Sequence, residues 1–498
     1  MRNRSIFYLL LSTLLLTPSI SQARPIEGIE PETSIQQNYV ALDEEVVIRD
    51  IQVTFIDQAG RTTKGNLKDE IILRELDFKS GDIYNPKLAD QSKTKIKNIV
   101  GVKTANLELE PTSSNKQANL TVTVEENPQF FLVFGSAIQP PTALQGVLRS
   151  VTVSPISNQP DRFTLRGAAG FRNFGGKNQQ VLFGTEGGDD TFSFDLDYRY
   201  FTRSDSGFGV NFFNNRIIES EFDNGETEVN LPDGTEPFVH RIGGGVELFR
   251  PIVGDFQGSL GVSYQLVSIR DGVFADELFN EDEQGNQLTF SDDGIDELLT
   301  INLATSLDRR NNTSDPTEGY RFLFQSDQAI PVGDASIFFN RLSANYTHFI
   351  PFPLFGFREG DKTLVLNVQG GTIIGDVPGY EAFSLGGSRS VRGFETGDLG
   401  TGRSFIQATA EYRFPLFQLN AFRDEWDIDG TLFVDFASDL GSGDTISGEP
   451  GEVRDKPGTG VGFGGGVRTF TPLGLVALEL GISDRGDFEF SFNFGDRF

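Results

Sequence analysis

One glycine-rich segment of this chain combines an arginine with the backbone freedom to place it in a confined space. Residues 385–394 read LGGSRSVRGF, and the guanidinium of Arg392 is a rigid planar fork of hydrogen-bond donors. Such a group pairs best with carboxylate acceptors when it leaves bulk water. The chemistry that this segment supports is therefore a structural ion-pair lock rather than a catalytic site.

The alternation of apolar and polar residues predicts two carboxylates that can pair with this arginine. Successive side chains of a strand face opposite sides, so Phe433 and Asp435 share one face and their apolar neighbours the other. The same pattern turns Glu411 inward. We predict that the loop folds back and that Arg392 pairs with Asp435, with Glu411 as a second acceptor. The alternative, which spacing alone favours, is a solvated arginine on a surface loop.

The other reactive side chains form no catalytic or metal-binding pattern. His240 and His348 fall in separate predicted strands with no set of metal ligands nearby. The glycine-rich stretch 458–466 alternates like a strand and lacks the Gly-Lys-Ser/Thr ending of a phosphate-binding loop. The chain has no Cys, which excludes thiol chemistry. We predict that the protein is not an enzyme and uses no catalytic residue, metal or cofactor.

The overall charge argues against two classes of binding partner. The 498 residues carry a formal net charge of −29. Nucleic-acid phosphates require a basic surface, so we predict no nucleic-acid partner. The same charge argues against a polybasic grip on anionic lipids.

The N-terminus has the pattern of an export signal. Arg2 and Arg4 precede a short apolar run, and small residues follow at 21–23. The run is too short for a helix that spans about 30 Å of hydrocarbon. We predict a signal peptide at 1–23, followed by an acidic, flexible lead at 24–45.

Residues 46–128 are predicted to form a small α+β domain. Alternating apolar residues at 51–55 indicate a strand, and helical spacing follows at 67–76. Pro86 can open a second helix, and two more alternating runs complete the order strand, helix, helix, strand, strand.

Residues 129–498 show about sixteen short alternating runs, which is typical of a transmembrane β-barrel. An even count lets antiparallel strands close without a free edge. The terminal run has an apolar face and a polar face, and Gly495 lies within it as a point where the strand can kink. The apolar face is predicted to contact lipid and consists of Phe488, Phe490, Phe492, Phe494 and Phe498.

The connections orient this predicted barrel. All the long ones follow odd-numbered strands, and barrels of this type place long loops outside and short turns on the periplasmic side. The N-terminal domain would then lie in the periplasm. A soluble sandwich or propeller is the alternative. The long connections are 139–163, 219–236, 271–296, 375–402 and 438–459.

In its motifs the chain resembles the BamA/TamA outer-membrane protein assembly superfamily, which includes two-partner secretion transporters and the chloroplast import channel. The resemblance covers nearly all of the chain after the signal peptide. Residues 46–128 are similar to one POTRA domain, a polypeptide-transport module. The resemblance implies a mainly β fold, with one POTRA-like domain and a sixteen-stranded antiparallel barrel. The motifs that carry it are Val391-Arg392-Gly393-Phe394 for the sixth loop, Phe433-Val434-Asp435 with Glu411 for its partners, and Asn173 to Gly176 for an early turn.

The resemblance also implies a function. It predicts an outer-membrane protein that inserts or translocates unfolded outer-membrane or secreted polypeptides. The export signal favours a bacterial outer membrane, and we expect the barrel to open between its first and last strands. Outer-membrane lipid and periplasmic or lipoprotein accessory subunits are the other expected partners. Two alternatives remain open at this stage: a two-partner-type secretion pore, and a passive cation-preferring channel.

Overall fold

The computed structural model describes residues 46–113, 116–134, 164–188, 191–421, 424–471 and 474–498. Residues Val47–Phe498 form one unit, which contains every element discussed below. The predicted signal peptide and acidic lead, and the predicted connection 139–163, lie outside the described residues.

The N-terminal domain is a four-stranded sheet covered by two helices. Helix α2 begins at Pro86, and the side chain of Asn85 caps it by accepting from two backbone N–H groups of its first turn. Both helices bury apolar residues against the sheet, among them Ile72 and Ile96. No helix in the described ranges is both long and apolar enough to cross a membrane. The elements are β1 (Val47–Ile56), β2 (Thr62–Thr63), α1 (Asp69–Leu73), α2 (Pro86–Lys97), β3 (Val102–Pro111) and β4 (Gln117–Glu126), with sheet order β2-β1-β4-β3.

The remaining strands form one closed antiparallel barrel, apart from a short hairpin of β17 and β18 inside one loop. Within the described ranges, sixteen strands make the wall, as the sequence predicts, and the two-residue β12 adds a seventeenth to the sheet. In chain order the strands are β5 (Phe130–Phe134), β6 (Thr164–Arg172), β7 (Gln179–Gly188), β8 (Thr191–Arg203), β9 (Ser206–Ile217), β10 (Phe238–Val253), β11 (Phe256–Arg270), β12 (Leu278–Phe279), β13 (Ile295–Asp308), β14 (Gly319–Ile330), β15 (Phe339–Pro351), β16 (Thr363–Gly375), β17 (Phe383–Leu385), β18 (Gly400–Gly402), β19 (Ser404–Ala421), β20 (Asp424–Ser438), β21 (Thr459–Thr471), β22 (Gly474–Ser483) and β23 (Phe488–Phe494).

The outer face of the wall is apolar and exposed. Phe488 and Phe490 on β23 are 71% and 61% exposed, and Leu248 on β10 is 64% exposed. Their neighbours along the strands point inward and include the buried polar residues Ser491 on β23 and Glu247 on β10. A single-sided apolar surface of this kind matches a barrel whose outer face contacts lipid.

The end of the last strand differs from the prediction. Strand β23 stops at Phe494, so Gly495 follows the strand instead of lying within it, with φ +86°. That dihedral angle suits glycine and turns the chain into the barrel. As a result Phe498 does not face lipid. It is buried against Phe349 and Val365 on the inner face of the wall.

The N-terminal domain docks on the turns at one end of the barrel. The Arg74 side chain donates to the backbone oxygen of Phe201 at 2.9 Å. The buried Glu75 carboxylate accepts from the backbone and hydroxyl of Ser204 at 3.1 and 3.0 Å. The Asn173 amide donates to the backbone oxygen of Val100. We name this end of the barrel the docked end.

The opposite end, here named the capped end, carries the long loops. Apolar residues of five different loops pack with strand residues at this end of the barrel and form one buried cluster. The described loops therefore cover this end with a hydrophobic core of their own. The loop residues in the cluster include Phe222, Leu231, Leu288, Ile337, Val377, Tyr380, Ala382 and Ile446.

Candidate functional site

The predicted arginine lies inside the barrel. The loop between β16 and β19 enters the barrel and brings residues 391–394 against the inner wall. Val391 and Phe394 are fully buried in a cluster with Leu385, Leu399 and Ala437. The surface-loop alternative is therefore wrong for Arg392, which is 1% exposed.

Arg392 contacts three carboxylates. Its Nε and one terminal nitrogen donate to the two oxygens of Asp435 at 2.7 and 3.0 Å. Its other terminal nitrogen donates to Glu411 at 2.8 Å and to Glu479 at 2.7 Å. The guanidinium carbon lies 3.4 Å from the ring centroid of Phe433. Forked pairing with a carboxylate and stacking on an aromatic face are both contacts that lysine cannot reproduce.

The loop can approach the wall closely because glycine leaves this part of the wall without side chains. A Cβ atom on Gly462 of β21 would overlap the carbonyl oxygen of Arg392. Next to this contact, the N–H of Gly393 donates to the Glu489 carboxylate of β23 at 3.4 Å. The glycine-rich stretch of β21 is thus a contact surface for the loop rather than a phosphate loop.

Four members of this ion network were not predicted from the sequence: Glu479, Arg413, Asp496 and Arg497. Glu479 is an inward residue of β22 and could have been found by strand alternation. Arg413 donates to Glu411 at 2.8 Å and pairs with both oxygens of Asp496. Arg497 donates to Asp435 at 3.1 Å. We name the lock cluster as Arg392, Arg413, Arg497, Glu411, Asp435, Glu479 and Asp496.

The lock cluster joins three parts of the chain that are distant in sequence. The loop supplies Arg392, the wall supplies inward carboxylates, and the C-terminal tail supplies Asp496 and Arg497. The tail also donates from Arg497 to the backbone oxygen of Ser390 in the loop. Because the tail follows β23 directly, the loop is tied to the last strand of the barrel.

A second ion network holds the same loop to the opposite part of the wall. Arg241 of β10 donates to Glu219 at 2.5 Å and to Glu381 of the loop at 2.9 Å. The adjacent Tyr380 hydroxyl donates to Asp296 of β13 at 2.5 Å. Burial raises the pKa of Tyr380 well above its ordinary value, so this hydroxyl stays protonated. We name this group the second anchor.

One buried lysine links the loops at the capped end. The Lys456 ammonium donates to the backbone oxygens of Ser220 and Glu221 and to the hydroxyl of Thr401. Burial is the main cause that lowers the pKa of Lys456 to about 7, and the positive charge of the nearby Arg454 acts in the same direction.

Among the predicted seam residues, Phe488, Phe490 and Phe492 lie apart from the lock cluster, whereas Gly495 and Phe498 adjoin its members Asp496 and Arg497. Strands β5 and β23 are neighbours in the closed sheet. Strand β23 has seven residues, which limits the length over which this seam can pair. Phe488, Phe490 and Phe492 are exposed on the outer face beside this seam.

The described residues bring together no group of three or more His, Asp or Glu side chains that could hold a metal ion. What the arrangement can do is mechanical. The two networks brace one loop across the barrel interior, from β10 and β13 to β19, β20 and β22. The fold and the site together define a membrane β-barrel with a docked POTRA domain and a loop locked inside it.

Comparison with known sequences places the chain in a family. Residues 173–498 match the Omp85 superfamily domain, and residues 60–127 match the POTRA, or surface antigen variable number repeat, domain. The chain belongs to the Omp85 superfamily.

Among curated proteins, the chain is similar to two plant chloroplast proteins from Arabidopsis thaliana. It is 27% identical over 477 residues to outer envelope protein 80, covering 91% of this chain and 57% of that protein. It is 26% identical over 490 residues to protein TOC75-3, covering 91% of this chain and 55% of that protein. The chain thus spans between half and two thirds of these relatives' length.

Two bacterial structures share the fold. BamA from Haemophilus ducreyi lacking POTRA domains 1–3 aligns with a TM-score of 0.57 at 15% identity, covering 89% of this chain and 84% of that one. CdiB from Acinetobacter baumannii aligns with a TM-score of 0.52 at 17% identity, covering 90% and 73%.

Proposed function

We propose that this protein inserts polypeptides into an outer membrane or moves them across it, without enzymatic chemistry. The POTRA domain receives an extended segment of the substrate, and the barrel opens between β5 and β23 to pass it to lipid. The single observation that carries the proposal is the short seam beside a C-terminal tail that the lock cluster holds. We place the protein in a bacterial outer membrane with the docked end in the periplasm.

The N-terminal sheet offers an edge for the substrate. In the order β2-β1-β4-β3, β3 is an edge strand of ten residues. Its outward N–H and C=O groups can pair with an incoming extended segment, as in strand addition. The docking of this domain on the barrel turns holds that edge near the barrel.

The seam offers the second edge. Neighbouring wall strands such as β19 and β20 pair over most of their length, whereas β23 has seven residues and limits the seam to that length. Each backbone hydrogen bond contributes only about 0.5–1.5 kcal/mol net. A seam of this length therefore opens more easily than a long strand pair such as β19–β20, and an incoming strand can satisfy the freed groups.

The lock cluster couples the loop to the strand that borders the seam. Because Arg392 and Arg497 share Asp435, the position of the loop and the position of the end of β23 are coupled. We propose that the cluster keeps the last strand in register while a substrate strand pairs beside it. The packed loops at the capped end support insertion over a freely conducting channel.

Engineered disulfides test the proposal on a chain that has no native cysteine. One cysteine is placed within residues 130–134 and one within residues 488–494, and oxidised pairs are selected. We expect oxidation to block delivery of a radiolabelled barrel substrate into lipid vesicles, and reduction to restore it.

The matched control crosslinks β23 to its other neighbour. Leu480→Cys and Phe490→Cys face each other across β22 and β23 on the outer face and leave the seam free. Oxidation of this pair should leave delivery unchanged. If the oxidised seam variant is fully active, lateral opening is unnecessary. Substrate crosslinked only to residues of the barrel interior would instead favour the secretion pore.

A further inference from the structure

The turn between β15 and β16 is unusually apolar for a turn at the docked end. Residues 352–357 read FPLFGF, with three phenylalanines and one leucine in six positions. We name them the aromatic foot. Turns between antiparallel strands are ordinarily rich in polar residues, glycine and asparagine, so this composition needs a physical reason.

The aromatic foot packs on the outer face of the barrel wall. Glu411 and Arg413 of β19 face inward in the lock cluster, so Tyr412 and Phe414 between and beyond them face outward. The Phe355 ring lies 5.0 Å from the ring of Tyr412 and 4.9 Å from that of Phe414. These two outward residues are consequently 7% and 6% exposed. The foot thus covers β19 on the side of the wall that faces lipid.

Several backbone groups of the aromatic foot are hydrogen-bonded within the protein. The Tyr412 hydroxyl accepts from the N–H of Phe355 at 3.0 Å and donates to its carbonyl at 2.6 Å. The N–H of Phe357 donates to Pro415 on β19 at 3.0 Å, and the N–H of Leu354 donates within the turn. Irregular backbone can enter a bilayer only when its polar groups find such partners.

Two side chains of the foot are largely exposed. Leu354 is 64% exposed and Phe357 is 73% exposed. Arg358 follows directly and pairs with Asp427 of β20 at 2.5 Å. The foot therefore has an apolar tip, a base fixed to the outer wall, and an ion pair at the boundary with water. This is the order of groups that an interfacial anchor presents to a leaflet.

We propose that the aromatic foot inserts into the lipid leaflet at the docked end of the barrel. The occupant is the bilayer, because the surface of the foot is continuous with the outward apolar face of β19. The foot fixes the depth of the wall section formed by β16, β19 and β20. That section carries Glu411 and Asp435 on its inner face. The strands whose depth in the membrane is fixed by the foot therefore also carry these two residues of the lock cluster. The inference requires that the barrel resides in a membrane, and it does not depend on polypeptide transport.

Fluorescence in lipid vesicles tests the proposal on the full chain. Trp426, the single tryptophan, is replaced by Phe, and one new tryptophan is introduced as Phe357→Trp. We expect its emission to shift to shorter wavelength in vesicles and to be quenched most by lipids brominated near the headgroup. Ile83→Trp, on an exposed residue of the N-terminal domain, should show no quenching. Leu366→Trp, on the outward face of β16, should be quenched by lipids brominated deeper in the chain.

A second variant separates a folding defect from a loss of membrane contact. Leu354→Asp with Phe357→Asp should fold in detergent like the parent but lose most of its insertion into preformed vesicles. Ile83→Asp, the control, should insert normally. An unquenched tryptophan at 357, or normal insertion of the double aspartate variant, overturns the proposal and points to a protein partner on this turn. Neither readout uses a polypeptide substrate, so the transport proposal stands or fails separately.

Discussion

Arg497, the residue next to the carboxyl end, donates to both oxygens of Asp435 at distances of 3.3 and 3.1 Å. The same carboxylate is held by the loop arginine, Arg392. One inward aspartate of β20 therefore joins the loop, the wall and the end of the last strand. Gly495 makes this contact available by ending β23 before the tail.

Removal of the tail arginine should loosen the last strand. Arg497→Ala takes one charged donor from Asp435, and loss of such a bond costs about 1–3 kcal/mol. We expect a lower midpoint of urea unfolding in vesicles and faster amide exchange in β23. Arg485→Ala is the control, because its pair with Glu226 is exposed and contributes about 0–1 kcal/mol. Equal effects of the two variants would contradict a special role for the tail.

Removal of the loop arginine should cost more. Arg392→Ala leaves Asp435, Glu411 and Glu479 without their shared cation, and breaking a buried pair costs about 3–5 kcal/mol. We expect residues 385–394 to become sensitive to protease in the folded barrel. Arg392→Lys keeps the charge but loses the fork and the stacking on Phe433, so its stability should be intermediate. A lysine variant as stable as the parent would show that charge alone is sufficient.

The second anchor should act independently of the lock cluster. Arg241→Met removes the cation from Glu219 and Glu381, while Arg392 keeps all of its partners. We expect increased amide exchange at 376–385 with unchanged protection at 391–394. Arg250→Met, on the same strand but exposed, is the control. Loss of protection across the whole loop would mean that the two networks form one cooperative unit.

The capped end should become more stable as pH rises from about 7 to 10.5. The folded pKa of Lys456 is about 7, against an ordinary value of 10.5. In this range the opened loops bind a proton that the packed loops do not, so the free energy of opening increases with pH. Below pH 7 both states are protonated and the dependence disappears. Amide exchange at 219–222, corrected for intrinsic rates, measures this, and Lys456→Met should flatten the profile.

The docked N-terminal domain should be released by a single change. The Glu75 carboxylate is 2% exposed and accepts two bonds from Ser204. Glu75→Ala removes both, and we expect a broader distribution of distances between spin labels on Ile83 and Asp255. Glu70→Ala, on an exposed residue of α1, should leave the distribution narrow.

Much of the fold could be predicted from the alternation of apolar and polar residues along the chain. Strand alternation depends only on which side chains tolerate lipid, so the barrel, its sixteen wall strands and the inward direction of Asp435 and Glu411 could be predicted. The pairing of Arg392 needed one further step, because a loop arginine can equally remain in solvent. The family motifs provided that step.

The contacts of the tail and of the second anchor could not be predicted. Strand alternation continued past Gly495 assigns Phe498 to lipid, whereas a positive φ at that glycine turns the tail inward. Arg241 and Glu381 are 140 residues apart, and nothing local fixes how a long loop crosses the interior. The sequence by itself determined which faces meet lipid and which meet the barrel interior, because side-chain hydrophobicity and period are local properties. Only the tertiary structure decided which buried charges share a partner, because that depends on where separate segments meet after the barrel closes.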